Sequence, residues 1–430
     1  MEQSSASFEG VVDELIAARI VYWMGGPYCA LNLRETSRRC ARMIPGPAKI
    51  SDTWEVVKMA LIIGDSATCL KALARGDDDR DKVMNRATEL AATYDRRDIL
   101  AFIFDKTKGH AFNHESGAIL HAAVAGNLNL CEFIRDCIIC SDEWKRGTDA
   151  GVRIYPFSRM LCGAARANRC DLFKLALKWI EEYVHSFPDL DESMYRAAES
   201  GSLDTCKLAH ELAIEHGQTI HVERVLQHAA LGGSIDGCKL AREWGARQFG
   251  AALFEAAESG SIEMCKFARG WLDEAGRPYN AKVFLSMIMN AARSSKLETL
   301  RLAHEWFVAK EKREPNLVEM YTIIAISAER INMETCKFLF GIVRRYESLN
   351  PGAETIDSVT EIIDEAMKYA VLRSDMEMCE MLHSWGAVHY EMYLEFADAN
   401  DIEPKSPEAK RRTAAVRKRV REWMPARAAA

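Results

Sequence analysis

The sequence predicts an all-α fold, a helical-repeat solenoid of about ten helix-pair units with helical caps at both ends. Three observations predict it. A short phrase returns along the chain, reading AAVAGNLNLCEF from Ala122, AAESGSLDTCKLA from Ala197, AALGGSIDGCKLA from Ala229 and AAESGSIEMCKFA from Ala256. Its period clusters near 33 residues, inside the roughly 20 to 50 residues that mark stacked repeat architectures. Apolar residues within the phrase follow helical spacing, as in Ile262, Cys265, Phe267 and Ala268.

The Cys of the phrase serves as a ruler. It falls at Cys69, Cys131, Cys206, Cys238, Cys265, Cys336 and Cys379, with Leu100, Phe173 and Leu300 in the intervening places. Successive steps are 31, 31, 42, 33, 32, 27, 35, 36 and 43 residues, which makes ten units. Each unit is expected to be two short helices. The first carries a small pair (Ala122-Ala123, Ala164-Ala165, Ala197-Ala198, Ala229-Ala230, Ala256-Ala257, Ala291-Ala292) that allows neighbouring helices to approach closely. Gly126, Gly201, Gly233 and Gly260 are expected to end that helix in the left-handed conformation. Asn129, Asp204, Asp236, Glu263, Glu298, Glu334 and Glu377 then stand where a second helix begins, suited to capping and to the helix dipole. Six residues past the ruler come Trp179, Trp244, Trp271, Trp306 and Trp385, five of the nine Trp, predicted to be core. Gly245-Ala246, Ala275-Gly276 and Gly386-Ala387 turn the chain towards the next unit.

Paired helices in about 33 residues, with a small-residue first helix and a Gly-Ala stop, resemble the ankyrin repeat over roughly Asp52 to Val388. The AAESGS and Cys-Lys-Leu-Ala phrases look like the divergent ankyrin families of large DNA viruses. The Thr-Pro-Leu-His opening of the family is missing. Leu120, Cys162, Tyr195, Gln227, Phe254 and Met289 hold its His position, so the hairpin loops are expected to be short or irregular. The resemblance implies an all-α ankyrin-like helical-repeat solenoid that binds a partner protein on its concave face, lined by first helices and the turns before them. The partner-binding candidates on that face are Tyr195, Arg196, Glu199, Gln227, Phe254, Glu255, Glu258 and Arg293.

The flanks divide the chain into an N-terminal segment (1–50), the array (51–390) and a C-terminal cap with a basic tail (391–430). The N-terminal segment has two readings. It resembles an F-box, with Leu15, Ile16, Ile20, Leu31 and Leu33 as ligase-adaptor contacts, although the family's Leu-Pro opening is absent. That resemblance implies a substrate adaptor recruiting targets to a cullin ubiquitin ligase. The other reading is a helical cap shielding the first unit. In the tail, Val416, Val420 and Trp423 share one helical stripe beside Lys410-Arg411-Arg412 and Arg417-Lys418-Arg419. A capping helix with a solvated basic face and a nuclear-import segment both fit.

Bulk properties bound the function. Net charge is −7, but the chain from Lys405 onward has nine Lys/Arg against two Glu, so the remainder is more acidic than the total suggests. An acidic body weighs against nucleic-acid reading. No apolar run reaches membrane-spanning length, and Met1–Gly10 has no positive n-region. Thirteen cysteines, mostly tied to one column, read as reduced, buried thiols of an intracellular and most simply cytoplasmic protein. Cys137-x-x-Cys140 with His110 and His114 has zinc-like spacing, but Cys137 falls in the Trp column, which is expected to be core. No nucleophile elbow, phosphate loop or metalloprotease helix occurs. The expectation is a monomeric, non-catalytic binding protein with no cofactor and no metal.

Overall fold

The computed structural model describes residues 53–424, apart from 64–65, 75–79, 108–112, 146–149, 275, 277–280, 331, 351–355 and 401–406. All regular structure among the described residues is α-helical. The described chain falls into two compact bodies, one of residues 53–197 and 204–219, the other of 198–203 and 220–424.

In the N-terminal body the helices come in pairs: α1 (Thr53–Ile63) with α2 (Ser66–Ala74), α3 (Arg80–Thr93) with α4 (Arg97–Lys106), and α5 (Asn113–Val124) with α6 (Leu128–Cys140). After the one-turn α7 (Asp142–Lys145) come α8 (Ala150–Arg166) with α9 (Cys170–Tyr183), then α10 (Asp191–Ser200) with α11 (Leu203–Glu215). The first helices α1, α3, α5 and α8 pack one on the next in chain order, and each also packs on its own second helix.

The C-terminal body repeats this plan. Its pairs are α12 (Val222–Leu231) with α13 (Ile235–Glu243), α14 (Phe249–Ser259) with α15 (Ile262–Glu274), and α16 (Ala281–Arg293) with α17 (Leu297–Glu311). They continue as α18 (Leu317–Ser327) with α19 (Met333–Leu349), α20 (Ile356–Leu372) with α21 (Met376–Ser384), and α22 (Tyr390–Asn400) with α23 (Pro407–Trp423). Here too the first helices pack in sequence from α12 to α22.

The ruler position explains the core. Cys69, Cys131, Cys206, Cys238, Cys265, Cys336 and Cys379 are fully buried, as are Leu100, Phe173 and Leu300 in the same column. Both members of every small pair from Ala122-Ala123 to Ala291-Ala292 are fully buried as well. Small side chains there bring helix backbones together. Gly163 of α8 shows how close they come, for a methyl group there would overlap the backbone carbonyl oxygen of Leu120 and lie 2.9 Å from Cβ of Ala123 on α5. Cys238 shows how a thiol seals the seam between pairs. Its Sγ donates to the Leu226 carbonyl of α12 at 3.8 Å and lies 3.8 Å from Sδ of Met264 on α15.

The turn between the two helices of a pair has one backbone solution. Five residues before the ruler, φ is positive at Asp95 (53°), Gly126 (70°), Asn168 (54°), Gly201 (74°), Gly233 (73°), Gly260 (84°), Ser295 (56°) and Ser374 (57°). Glycine takes this conformation freely, whereas Asp, Asn and Ser hold it against a steric cost. Side-chain bonds offset that cost, as two of these positions show. Asn168 accepts from the Thr205 amide at 3.1 Å. The Ser295 hydroxyl accepts from the Asn332 amide at 3.1 Å and donates to the Arg330 carbonyl at 2.9 Å.

The expected capping position is corrected by two residues. Second helices are capped four residues before the ruler: Asn127 accepts from the Leu130 amide at 3.0 Å, Ser234 from Gly237 at 3.1 Å, Asn332 from Thr335 at 2.9 Å, and Asp375 from Met378 at 3.2 Å. A cap must stand outside the helix in extended geometry, and Ser234 does so. The acidic residues at Asp236, Glu334 and Glu377 lie inside the first turn, where they act through the dipole.

The Trp column is also corrected. Trp179 and Trp271 are buried, but Trp244, Trp306 and Trp385 are only half-buried. The position lies near the end of the second helix, at the margin of the layer, and the ring is covered from the pair before it. The guanidinium of Arg135 sits 4.7 Å from the Trp179 ring centroid, Arg242 4.9 Å from Trp271, and Arg269 4.5 Å from Trp306. Phe340 takes the same role against Trp385, with ring centroids 4.7 Å apart. All four covering residues stand four past their ruler position.

At the C-terminal end, α23 packs on α20, α21 and α22. Val416 and Val420 are buried, the Trp423 ring stacks on His383 at 4.2 Å, and Thr413 and Ser374 share a hydrogen bond of 2.8 Å. The opposite face exposes Arg411, Lys418 and Arg421.

Candidate functional site

The first helices have a buried side, which carries the small pairs, and an outer side, which carries the residues 11, 10 and 7 places before the ruler. The predicted binding residues occupy these three columns. In the N-terminal body the structure corrects one of them. Tyr195 is only 2% exposed, and its hydroxyl donates to Asp191 at 2.9 Å. An aromatic ring at this place folds inward where Cys162, the preceding occupant of its column, is buried too. Arg196 stays half-exposed and pairs with Glu192 at 2.8 Å.

The C-terminal body brings most of the rest together. Glu199 lies 3.7 Å from His228, and Gln227 is half-buried beside it in sequence. Glu258 of α14 accepts from Arg293 of α16 at 2.6 Å, and Asn290 of α16 donates to the Phe254 carbonyl at 3.3 Å. These two bonds set the columns of neighbouring helices against one another. Glu255 is half-buried between them in sequence. Desolvation, with help from Glu258, raises its pKa above the usual carboxylate range, while Arg293 pulls it back.

Sequence reasoning missed a stripe on α18. Val318 is 76% exposed, Ile326 49% and Tyr321 40%. With the exposed Thr322 and half-buried Ala325 they follow the i, i+3, i+4, i+7, i+8 pattern of a single helix face. The opposite face is equally apolar and fully packed, through Met320, Ile323, Ile324 and Ser327. A helix apolar on both faces carries almost no amphipathic signal, which is why the stripe was not legible. The signal that could have found it is the register, since α16 presents Lys282, Ser286 and Asn290 at the places where α18 has Val318, Thr322 and Ile326.

The chemistry of other groups is structural. Burial pushes the thiols of Cys131, Cys206, Cys238, Cys265, Cys336 and Cys379 up to about 12. They are protonated and inaccessible at neutral pH. Cys137 is half-buried rather than core, with its thiol pushed up to about 11, and Cys140 is exposed. His114 is buried against Thr88 at 3.4 Å, and His110 lies outside the described residues. Among the described residues no group of three or more His, Cys, Asp or Glu is placed to hold a metal ion. Near the C-terminal end the buried Asp364 carboxylate accepts from the Tyr393 hydroxyl and from the ring of His389, clasping the turn before α22 onto α20. Burial and that carboxylate push the Tyr393 hydroxyl up.

Among the described residues no helix is long and apolar enough to cross a membrane. Leu15, Ile16, Ile20, Leu31 and Leu33, the F-box-like positions, lie outside the described residues. No family model matches the chain, and no curated protein matches its sequence.

Proposed function

We propose that this protein is a non-catalytic interaction scaffold whose ankyrin-like helix pairs hold a partner protein on the outer side of their first helices. The observation that carries this reading is a contrast within those helices. Their inner side buries the alanine pairs completely, while three columns on the other side are varied and, apart from Cys162, Gly163 and Tyr195, half-buried or exposed where described. A uniform interior under a varied outer face is the division of labour of a binding repeat. The side chains there are polar, aromatic and aliphatic in a mixture that suits a protein surface. The described cysteines are free thiols, which supports an intracellular setting.

Quantitative affinity capture from the cells that express the protein tests this reading. Wild type is compared with Ile326→Asp and Glu255→Lys variants whose circular dichroism and melting are unchanged. At least one protein should drop about tenfold in recovery with either variant, as loss of a central contact predicts. If every captured protein is recovered equally by all three, the first-helix face is not the binding surface and the reading fails.

A further inference from the structure

We propose that the face formed by α14, α16, α18 and α20 takes a basic amphipathic segment of another protein, with apolar anchors on α18 and a Lys or Arg opposite Glu255. This rests on the reading of the first-helix face as the binding surface and specifies what that surface selects.

Single exposed apolar residues are ordinary on protein surfaces. Three on one face of one helix are not explained by packing, because α18 already buries its other face against its neighbours. The same stripe on α16 carries Lys282, Ser286 and Asn290, and on α20 it carries Glu361, Glu365 and Tyr369. The exposed apolar residues are therefore local to α18: the apolar neighbours on the stripe, Leu285, Met289 and Tyr369, are half-buried, and the exposed places beside Val318 are Lys282 and Glu361. An apolar centre with a polar rim is the anatomy of a protein-binding site.

Charge then selects the occupant. Two bases on this face are already neutralised, Arg293 by Glu258 at 2.6 Å and Lys368 by Glu365 at 2.8 Å. The net excess is acidic, through Glu255 on α14, Glu329 just past α18 and Glu361 on α20. Lys282, at the first turn of α16, and Arg247, at the same place just before α14, are the opposing bases. Glu255 is the most telling of these. It sits half-buried with no ion pair of its own among the described residues, one residue from Phe254 and one turn from the Glu258–Arg293 pair. A cationic side chain arriving there would relieve the carboxylate that burial now disfavours. An apolar anchor flanked by cations is the pattern of a basic amphipathic helix or strand.

The test is selection of a phage-displayed random dodecapeptide library on the immobilised full chain, followed by affinity measurement on synthetic peptides. Enriched peptides should combine aromatic or aliphatic residues with two or more Lys/Arg. Their affinity should fall about tenfold on a Tyr321→Ala/Ile326→Ser variant, and about threefold to tenfold on Glu255→Gln, with a weaker salt dependence. Should the double variant unfold, Val318→Ser, at an almost fully exposed position, replaces it. Neutral or acidic peptides would overturn the partner class. Peptides bound equally by all variants would overturn this site, while leaving a scaffold that binds elsewhere. If no peptide enriches, this site falls, and the scaffold reading is decided separately by the affinity capture.

Discussion

Replacing Cys238 by Asp tests the packing scheme on which every later step depends. The thiol is fully buried, with its Sγ 3.8 Å from the Leu226 carbonyl in its own pair and 3.8 Å from the sulfur of Met264 in the next. Burial raises its pKa from 9.0 to about 12. At about 1.4 kcal/mol per pK unit, that environment disfavours a negative charge by about 4 kcal/mol. A carboxylate placed there has no cation to meet, so Cys238→Asp should destabilise by about 4 kcal/mol, a large share of the roughly 5 to 15 kcal/mol typical of a domain. Cys238→Ala, which loses only a sulfur, should cost about 1 kcal/mol. Lys266→Asp, on the exposed side of α15, should change stability by no more than about 0.5 kcal/mol. Urea titrations followed by far-ultraviolet circular dichroism and Trp fluorescence provide the midpoints. The pH dependence sharpens the test. A buried Asp has a folded pKa above its unfolded one, so its penalty holds above the folded pKa and shrinks as pH falls towards the unfolded value near 4. The gap between the Asp and Ala variants should therefore narrow between pH 7 and pH 4. Equal midpoints for Cys238→Asp and Lys266→Asp, or a gap that ignores pH, would refute the packing scheme.

Four further outcomes follow from the geometry. With an alkylating reagent at pH 8, Cys140 should label first among the described cysteines, while Cys131, Cys238 and Cys265 label only in denaturant; early labelling of the ruler thiols would contradict their burial. The same thiols, raised to about 12 when folded, stabilise the fold fully below their unfolded pKa near 9 and lose that contribution as pH rises towards 12. Cys265→Ala should therefore flatten the alkaline loss of stability by about 1.4 kcal/mol per pH unit, and an unchanged slope would count against it. Gly163→Ala reverses the usual rule. In an open helix interior it would stabilise by about 0.5 to 1 kcal/mol, but the Leu120 carbonyl stands in the way and a loss of about 2 kcal/mol is expected in a denaturant melt. A double-mutant cycle on Arg269 and Trp306 should return a coupling of about 0.5 to 1 kcal/mol, and zero coupling would reduce the ring stacking to coincidence.

How much of this was legible in the chain depended on whether a property is local or relational. The ends of the first helices were readable at Gly126, Gly201, Gly233 and Gly260, because only glycine takes positive φ cheaply. The same turn at Asp95, Ser295 and Ser374 was hidden, since those residues reach it only with help from their surroundings. The binding face was readable as columns but not residue by residue. Tyr195 has the spacing of an exposed site and lies buried, while Val318 and Ile326 have the chemistry of a core and lie in water.

By itself, the sequence determined the period, the helical pairs and the small, thiol-lined positions that hold neighbouring helices together. Those features recur because each pair packs against another of its own kind, so a single local solution is written many times. Only the tertiary structure decided which faces stay uncovered. Asp364 is the plainest case: it stands at the place where Leu285 is half-buried and Tyr321 exposed, yet it is buried as the clasp for Tyr393. Exposure is set by the neighbours a helix face meets, which no short stretch of chain contains.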